Sequence, residues 1–291
     1  MYTKLKQSVP ISVWYMLLSA LAFALMAACV KSVSESGIPV LEIVAARAIV
    51  SVFLSYLVVR RKKISIWGNN KPWLFARGAV GAVSLICVFY AISTLPLAEA
   101  TILQYLHPIF TALLALFFLR EKIQRSTILC IVLSLLGVAI MIQPNISFDS
   151  AINYSWFSIL VAILGAFGSA VAYIIVKKLT KTEDSSVIVF YFPVIAFPIA
   201  MLLLGSDFVV PGLAVAVLLI LIGVFTQVGQ ICLTTALHSA DASKAMAYSY
   251  VQVVFSILIG WVYFSEVPVI TTLIGGSFII SGALVNVLWK R

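Results

Sequence analysis

The sequence predicts an all-α membrane protein of ten transmembrane helices, arranged as two inverted-topology five-helix repeats. Three observations predict it. The 291 residues are 63% hydrophobic and only 10% charged, against about 45–50% apolar and about 25% charged in a soluble domain. Apolar runs of the length that crosses about 30 Å of hydrocarbon recur from end to end. Polar and charged residues in the two halves match at a single offset of 145 positions.

The runs place spans at roughly 11–32, 40–59, 74–93, 98–118, 126–143, 156–176, 186–204, 213–235, 242–264 and 270–289. Turn residues punctuate them: Gly37-Ile38-Pro39, Gly68-Asn69-Asn70, Pro144-Asn145 and Pro211-Gly212. Such segments must be helical, because lipid offers no partner for an open backbone. A β-barrel would show alternating strands of about ten residues instead. The first run, Ile11 to Val30, is too long for a cleaved leader and reads as an uncleaved helix.

The net charge of +9 sits in short connectors, as at Arg60-Arg61-Lys62-Lys63 and Lys177-Lys178. These are topology signals and headgroup contacts rather than a nucleic-acid face. With the N-terminus in the cytoplasm, Lys4, Lys6, Arg77, Arg120, Lys122, Arg125, Lys181, Lys244, Lys290 and Arg291 join them on that side. Glu35, Glu42, Glu99, Asp149, Asp207 and Glu266 fall outside, with only Lys31 and Arg47 as basic company. The expected location is therefore the inner membrane, multi-pass, with both termini cytoplasmic. Cys29, Cys87, Cys130 and Cys232 lie singly in apolar runs and imply neither disulfides nor a metal site; no cofactor is expected.

Shifted by 145, Ala91, Ala100, Tyr105, Phe110, Glu121, Thr127 and Gly137 meet Ala236, Ala245, Tyr250, Phe255, Glu266, Thr272 and Gly282. Five spans per half turn the second copy upside down, so the chain divides into 1–145 and 146–291. Inverted repeats are the architecture of alternating-access carriers, with the substrate near the midplane.

Particular motifs then bring a family into view. They are Arg77-Gly78, Phe89-Tyr90-Ala91-Ile92, Leu95-Pro96-Leu97-Ala98-Glu99-Ala100, Pro108-Ile109-Phe110-Thr111-Ala112 and Leu119-Arg120-Glu121. In them the chain resembles the EamA-type members of the drug/metabolite transporter superfamily over nearly its whole length. The second copy departs at Val253, which stands where the first has Pro108. The resemblance implies ten helices, a central cavity and transport of a metabolite: an amino acid, a vitamin such as riboflavin, or a nucleotide-like cofactor such as S-adenosylmethionine. The partners expected are that solute and the bilayer, with the chain a monomer or weak homodimer.

Polar side chains deep in spans are expensive and mark function or helix packing. Helix 4 carries Thr101, Gln104, His107 and Thr111 on one side, around a Pro108 that frees the Gln104 carbonyl and should kink the helix. The copy on helix 9 gives Tyr248, Ser249, Gln252 and Ser256. Two stripes facing across the repeat axis are the candidate binding surface. Gln227 and Gln230 on helix 8 extend it, and Tyr90 and Tyr173 offer rings for a planar solute. Each of these also has an ordinary packing reading. Lys31, Glu42 and Arg47 form either an ion-pair cluster or a lure for an anionic substrate, with Arg47 deepest; Arg77 is expected to snorkel.

No G-x-x-x-x-G-K-[ST] loop is present to hold ATP. A membrane-embedded enzyme would need a nucleophile–base pair or a metal set; His107 and His238 lie at different depths, and no H-E-x-x-H occurs. A channel subunit would draw its filter from an oligomer, whereas here the symmetry lies within one chain.

Overall fold

Nearly every helix of this chain packs most extensively on a helix from the opposite half. The structure, a computed structural model, describes residues 10–94, 103–104, 106–121, 124–142, 156–264 and 270–289. The expectations placed on Lys4, Lys6, Glu99, Thr101, Tyr105, Lys122, Asp149, Glu266, Lys290 and Arg291 lie outside the described residues, as do the side chains of Phe89 and Thr272.

The first half contains α1 (Ile11–Glu35), α2 (Val40–Arg61), α3 (Lys71–Thr94), α4 (His107–Leu114, continued by a π-helical stretch Ala115–Leu119) and α5 (Arg125–Ile142). The second contains α6 (Trp156–Leu179), α7 (Ser185–Leu204), α8 (Leu213–Ser239), α9 and α10 (Ile270–Leu288). The ninth is broken: Ala242–Ala247 and Val251–Phe264 are joined through a 3-10 turn at Tyr248–Tyr250. Seven stretches of the described residues are long and apolar enough to cross a membrane. The expected spans 98–118, 126–143 and 270–289 are represented by shorter apolar stretches, His107–Leu119, Arg125–Gly137 and Leu273–Gly282.

Starts and stops follow local chemistry. Asp184 caps α7, its side chain accepting the Ser186 N–H. Gly37 and Gly205 take positive φ beyond α1 and α7, where a Cβ would be strained. The π-helical stretch ends at Arg120 in the left-handed region. Pro108 is the second residue of α4, where its missing N–H costs nothing. Residues 103–104 are helical and Leu106 is in a turn, so the helix is broken just before Pro108, at the place of the expected kink.

Helix α1 packs on α8, α3 on α6, α2 on α7 and α5 on α10. Small residues set these approaches, and the contacts recur 145 positions apart. A Cβ on Gly78 would run into Ile195, and one on Gly223 into Val50. A Cβ on Gly168 would press on Ser84, and one on Gly229 on Phe23. On α5 and α10, Gly137 abuts the Gly275 carbonyl, and Gly282 abuts that of Cys130. Hydroxyls reinforce the pairs: Ser19 Oγ donates to the Gly229 carbonyl at 2.8 Å and Ser84 Oγ to that of Gly165 at 2.7 Å, each about 0.6–1 kcal/mol in a membrane.

The outer surface is apolar, with Leu18, Phe53, Phe117, Leu164 and Leu202 exposed, as lipid contact requires. Buried packing differs in extent between the two ends. Where α1 begins, a large cluster joins Val13, Val59, Leu74, Leu179, Ile188 and Leu237, with a second one around Cys130 and Tyr250 beside it. Towards the other end the described core divides into separate clusters, around Ile43 and Ile222, around Ala91 and Ala162, and around Val44 and Ala200.

Polar clasps tie connectors together. Glu183 accepts the backbone N–H groups of Asn69 and Asn70 at 2.7 and 2.5 Å, holding the start of α3. At the other end Glu42 accepts that of Val209 at 3.0 Å. Glu121 accepts the N–H groups of Ala242 and Ser243, and the Ser243 hydroxyl, at the start of α9.

Candidate functional site

The repeat contacts leave a cavity of about 150 Å³ midway along the bundle. Residues 145 apart share its wall: Arg47 and Phe192, Leu85 and Gln230, His107 and Gln252. The cavity thus lies where the two halves exchange places.

Helices α2 and α3 bring two guanidiniums to one ring. The Arg77 guanidinium carbon lies 4.9 Å from the Phe192 centroid and that of Arg47 lies 5.7 Å from it. Both arginines are buried, at 3% and 6% exposure. Gly81, one turn beyond Arg77, makes room for this arrangement: a Cβ there would strike Arg77 Nη1 and approach Phe192 to 2.9 Å. Arg77 Nη2 donates to Gln230 Oε1 at 3.4 Å, a long bond, while Nε and Nη1 have no hydrogen-bond partner among the described residues. Arg77 therefore does not snorkel. It sits two turns into α3, and its side chain turns inward because Gly81 leaves that path open.

The two broken helices supply the rest of the polar wall. Gln104 precedes the start of α4, and His107 opens it; the 3-10 turn of α9 falls at the matching register, just before Gln252. His107 stands edge-on to Tyr173 with ring centroids 5.6 Å apart. Tyr173 shares the cavity wall with both arginines. Irregular backbone at this depth is tolerated where it borders a cavity.

Of the residues expected from sequence, Arg47, Gln104, His107, Tyr173, Gln230 and Gln252 line this cavity. Ser249 borders an adjoining space of about 30 Å³, shared by His107, Tyr173 and Gln252, and its hydroxyl is given to the Met246 carbonyl. The other four stand elsewhere. Thr111 is fully buried and its hydroxyl bonds the His107 carbonyl within α4 at 2.8 Å. Gln227 donates to Ser55 Oγ at 2.7 Å between α8 and α2. Tyr248 is packed into the cluster at the end where α1 begins, and Tyr90 is exposed against Phe157. Glu42 is held by Val209. Sequence reasoning missed Phe192, Ser84, Ser169 and the inward course of Arg77. A signal existed for two of them: Phe192 is the repeat partner of Arg47, and a glycine follows Arg77 by one turn.

An all-helical bundle with apolar outer faces and a polar chamber shared by both halves is the architecture of a membrane transporter. The chain belongs to the EamA-like transporter family, which matches it twice, over residues 10–143 and 156–288. It is 35% identical to the pseudopaline exporter CntI of Pseudomonas aeruginosa (strain UCBPP-PA14) over 90% of this chain and 91% of the relative. It is 28% identical to a riboflavin transporter of Brucella anthropi over 86% and 89% respectively. A crystal structure shares the fold with a TM-score of 0.81 at 17% identity, covering 95% of this chain and 96% of that one.

Proposed function

We propose that this chain is a secondary carrier that moves a small organic metabolite across the inner membrane by alternating access. The observation that carries the reading is the cavity whose wall pairs residues 145 apart from the two halves. In this reading ten helices cross the membrane as two inverted repeats, 1–145 and 146–291, and both termini are cytoplasmic. The antiparallel clash pattern of Gly137 and Gly282 supports the inversion, since equivalent helices then run in opposite directions. The end closed by the large cluster is the cytoplasmic end, so the conformation faces outward. Gln104, His107, Tyr173, Gln230, Gln252 and Arg47 contact the solute. The solute-binding roles expected for Thr111, Ser249, Tyr248, Gln227 and Tyr90 become positioning roles.

The test is counterflow in proteoliposomes loaded in turn with pseudopaline, riboflavin, S-adenosylmethionine and mixed amino acids. A carrier shows uptake of labelled solute accelerated by the same solute inside, and Gln104→Leu and Gln252→Leu slow it. Uptake indifferent to internal solute points to a pore and overturns the reading. Wild-type rates in both variants remove these positions from the site. Reporter fusions at Asn145 and Arg291 must report opposite compartments; agreement between them overturns the inverted topology.

A further inference from the structure

We propose that Arg77 and Arg47 form an anion-binding subsite, and that the transported solute carries a carboxylate which docks there. This rests on the carrier reading above. The argument begins with charge. Two guanidiniums border the cavity, and no Asp or Glu is among its described lining residues. Glu42, a little over one turn before Arg47 on α2, does not line it and gives one oxygen to the Val209 amide.

A buried cation needs a counter-charge, or hydrogen bonds at every N–H, to offset its lost hydration. Arg77 has neither among the described residues. Its Nε and Nη1 lack partners, and its Nη2 bond to Gln230 is long. The Phe192 face compensates in part by a cation–π contact. A ring leaves the in-plane N–H groups free, however, and those are the groups that grip a carboxylate in the bidentate mode. The side chain is also held in place. Gly81 is open because the guanidinium occupies that space, and Phe192 closes the far side. Arg77 therefore lines the cavity with a guanidinium that is fixed in place and has unsatisfied N–H groups.

The asymmetry of the site says the same. The repeat partners of Arg47 and Arg77 are Phe192 and Ile222. Packing symmetry asks for no charge at either place, and the unsatisfied N–H groups of Arg77 are what a ligand would meet. With Arg47 reaching the same ring from α2, a solute bearing two carboxylates can meet both guanidiniums, with Tyr173 and Gln230 alongside.

The test is binding to the purified full chain in detergent, read by thermal shift. The probes are succinate, glutarate and citrate, each against its uncharged amide. Saturable stabilisation by at least one carboxylate, at least tenfold weaker for its amide, is expected. Arg77→Gln should weaken the carboxylate response at least tenfold, and Arg77→Lys should restore part of it. Gly81→Ala keeps both charges but displaces the guanidinium, and should weaken binding severalfold. Equal responses to acid and amide in the wild-type chain overturn the proposal, as does an absence of response to all three acids. Carboxylate binding without counterflow would leave the anion site standing and sink the carrier. Counterflow of an uncharged solute that Arg77→Gln leaves unchanged would do the reverse.

Discussion

Gly78 meeting Ile195 and Gly223 meeting Val50 are one contact made twice, whereas Arg47 and Phe192 are repeat partners with opposite chemistry that meet each other. The helix interfaces and the cavity wall therefore obey different rules. An interface in lipid needs only shape, because lipid tails are as apolar as leucine and close approach supplies the attraction. Either copy of the repeat can meet that demand with the same small residue. In the carrier reading proposed above, the cavity recognises a solute that lacks the two-fold symmetry, and the two arginines among its described lining residues both lie on the first half. A symmetric frame around an asymmetric site fits the proposed carrier, in which two equivalent end states exchange around one cargo.

The largest effect should come from filling the frame. A side chain at Gly137 would meet the Gly275 backbone, and one at Gly282 the Cys130 carbonyl. Gly137→Leu and Gly282→Leu should each cost about 3 kcal/mol, the upper range for overpacking, with Gly137→Leu, the tighter contact, at least as costly as Gly282→Leu. Thermal unfolding in detergent reads both. Costs that differ by more than twofold would show that the repeat is only approximate at this interface.

The next effect lies in the site. Exchanging partners, Arg47→Phe with Phe192→Arg, keeps the pair of side chains and moves one charge across the pseudo-axis. The frame should tolerate it, with a monodisperse protein and near-native melting. Transport of the native solute should fall at least tenfold, about 1.4 kcal/mol. Retained transport would mean that the cavity reads total charge and not its placement.

How far these features were legible beforehand follows from the same distinction. The frame repeats, so the 145-residue offset exposed Gly137, Gly282 and the paired polar stripes before any coordinates. The helices were legible because lipid permits little else. Side-chain direction was not, since a stripe at 100° per residue says nothing about which stripe turns inward. Thr111 shares a face with His107 but spends its hydroxyl on that residue's carbonyl. Arg77 reads as a snorkelling residue near a helix end, and only the space above Gly81 shows that it turns inward. Phe192 carries no polar signal at all; it matters as the surface against which two cations lie.

A smaller effect is expected at the clasps. Glu121 holds the two leading N–H groups of the ninth helix, and Glu121→Gln should cost about 1 kcal/mol, the scale of a lost helix cap. Its repeat partner Glu266 lies outside the described residues. If the repeat extends to that end, Glu266→Gln will cost the same in thermal unfolding; a silent Glu266→Gln would confine the clasp to one side.

The smallest effect is electrostatic and belongs to one end only. Burial alone would raise the Asp184 carboxyl, but the Lys62 ammonium and the Ser186 N–H outweigh it and hold it below the ordinary carboxylate range. A folded-state value lowered in this way adds stability above the unfolded value of about 3.9. That stability is lost as pH falls through the lower folded value. The pair is open to solvent, at 46% and 38% exposure, so screening leaves a charge contribution of only about 0.3 kcal/mol. Asp184→Asn keeps an oxygen for the α7 cap and should lose only that. Asp184→Ala removes the cap as well and should lose about 1 kcal/mol. Melting curves at pH 7 should separate the wild-type chain from Asp184→Asn slightly, and the gap should close once the pH has fallen below the lowered folded-state value. A gap that persisted there would assign the stabilisation to the cap geometry and leave Lys62 no part in it.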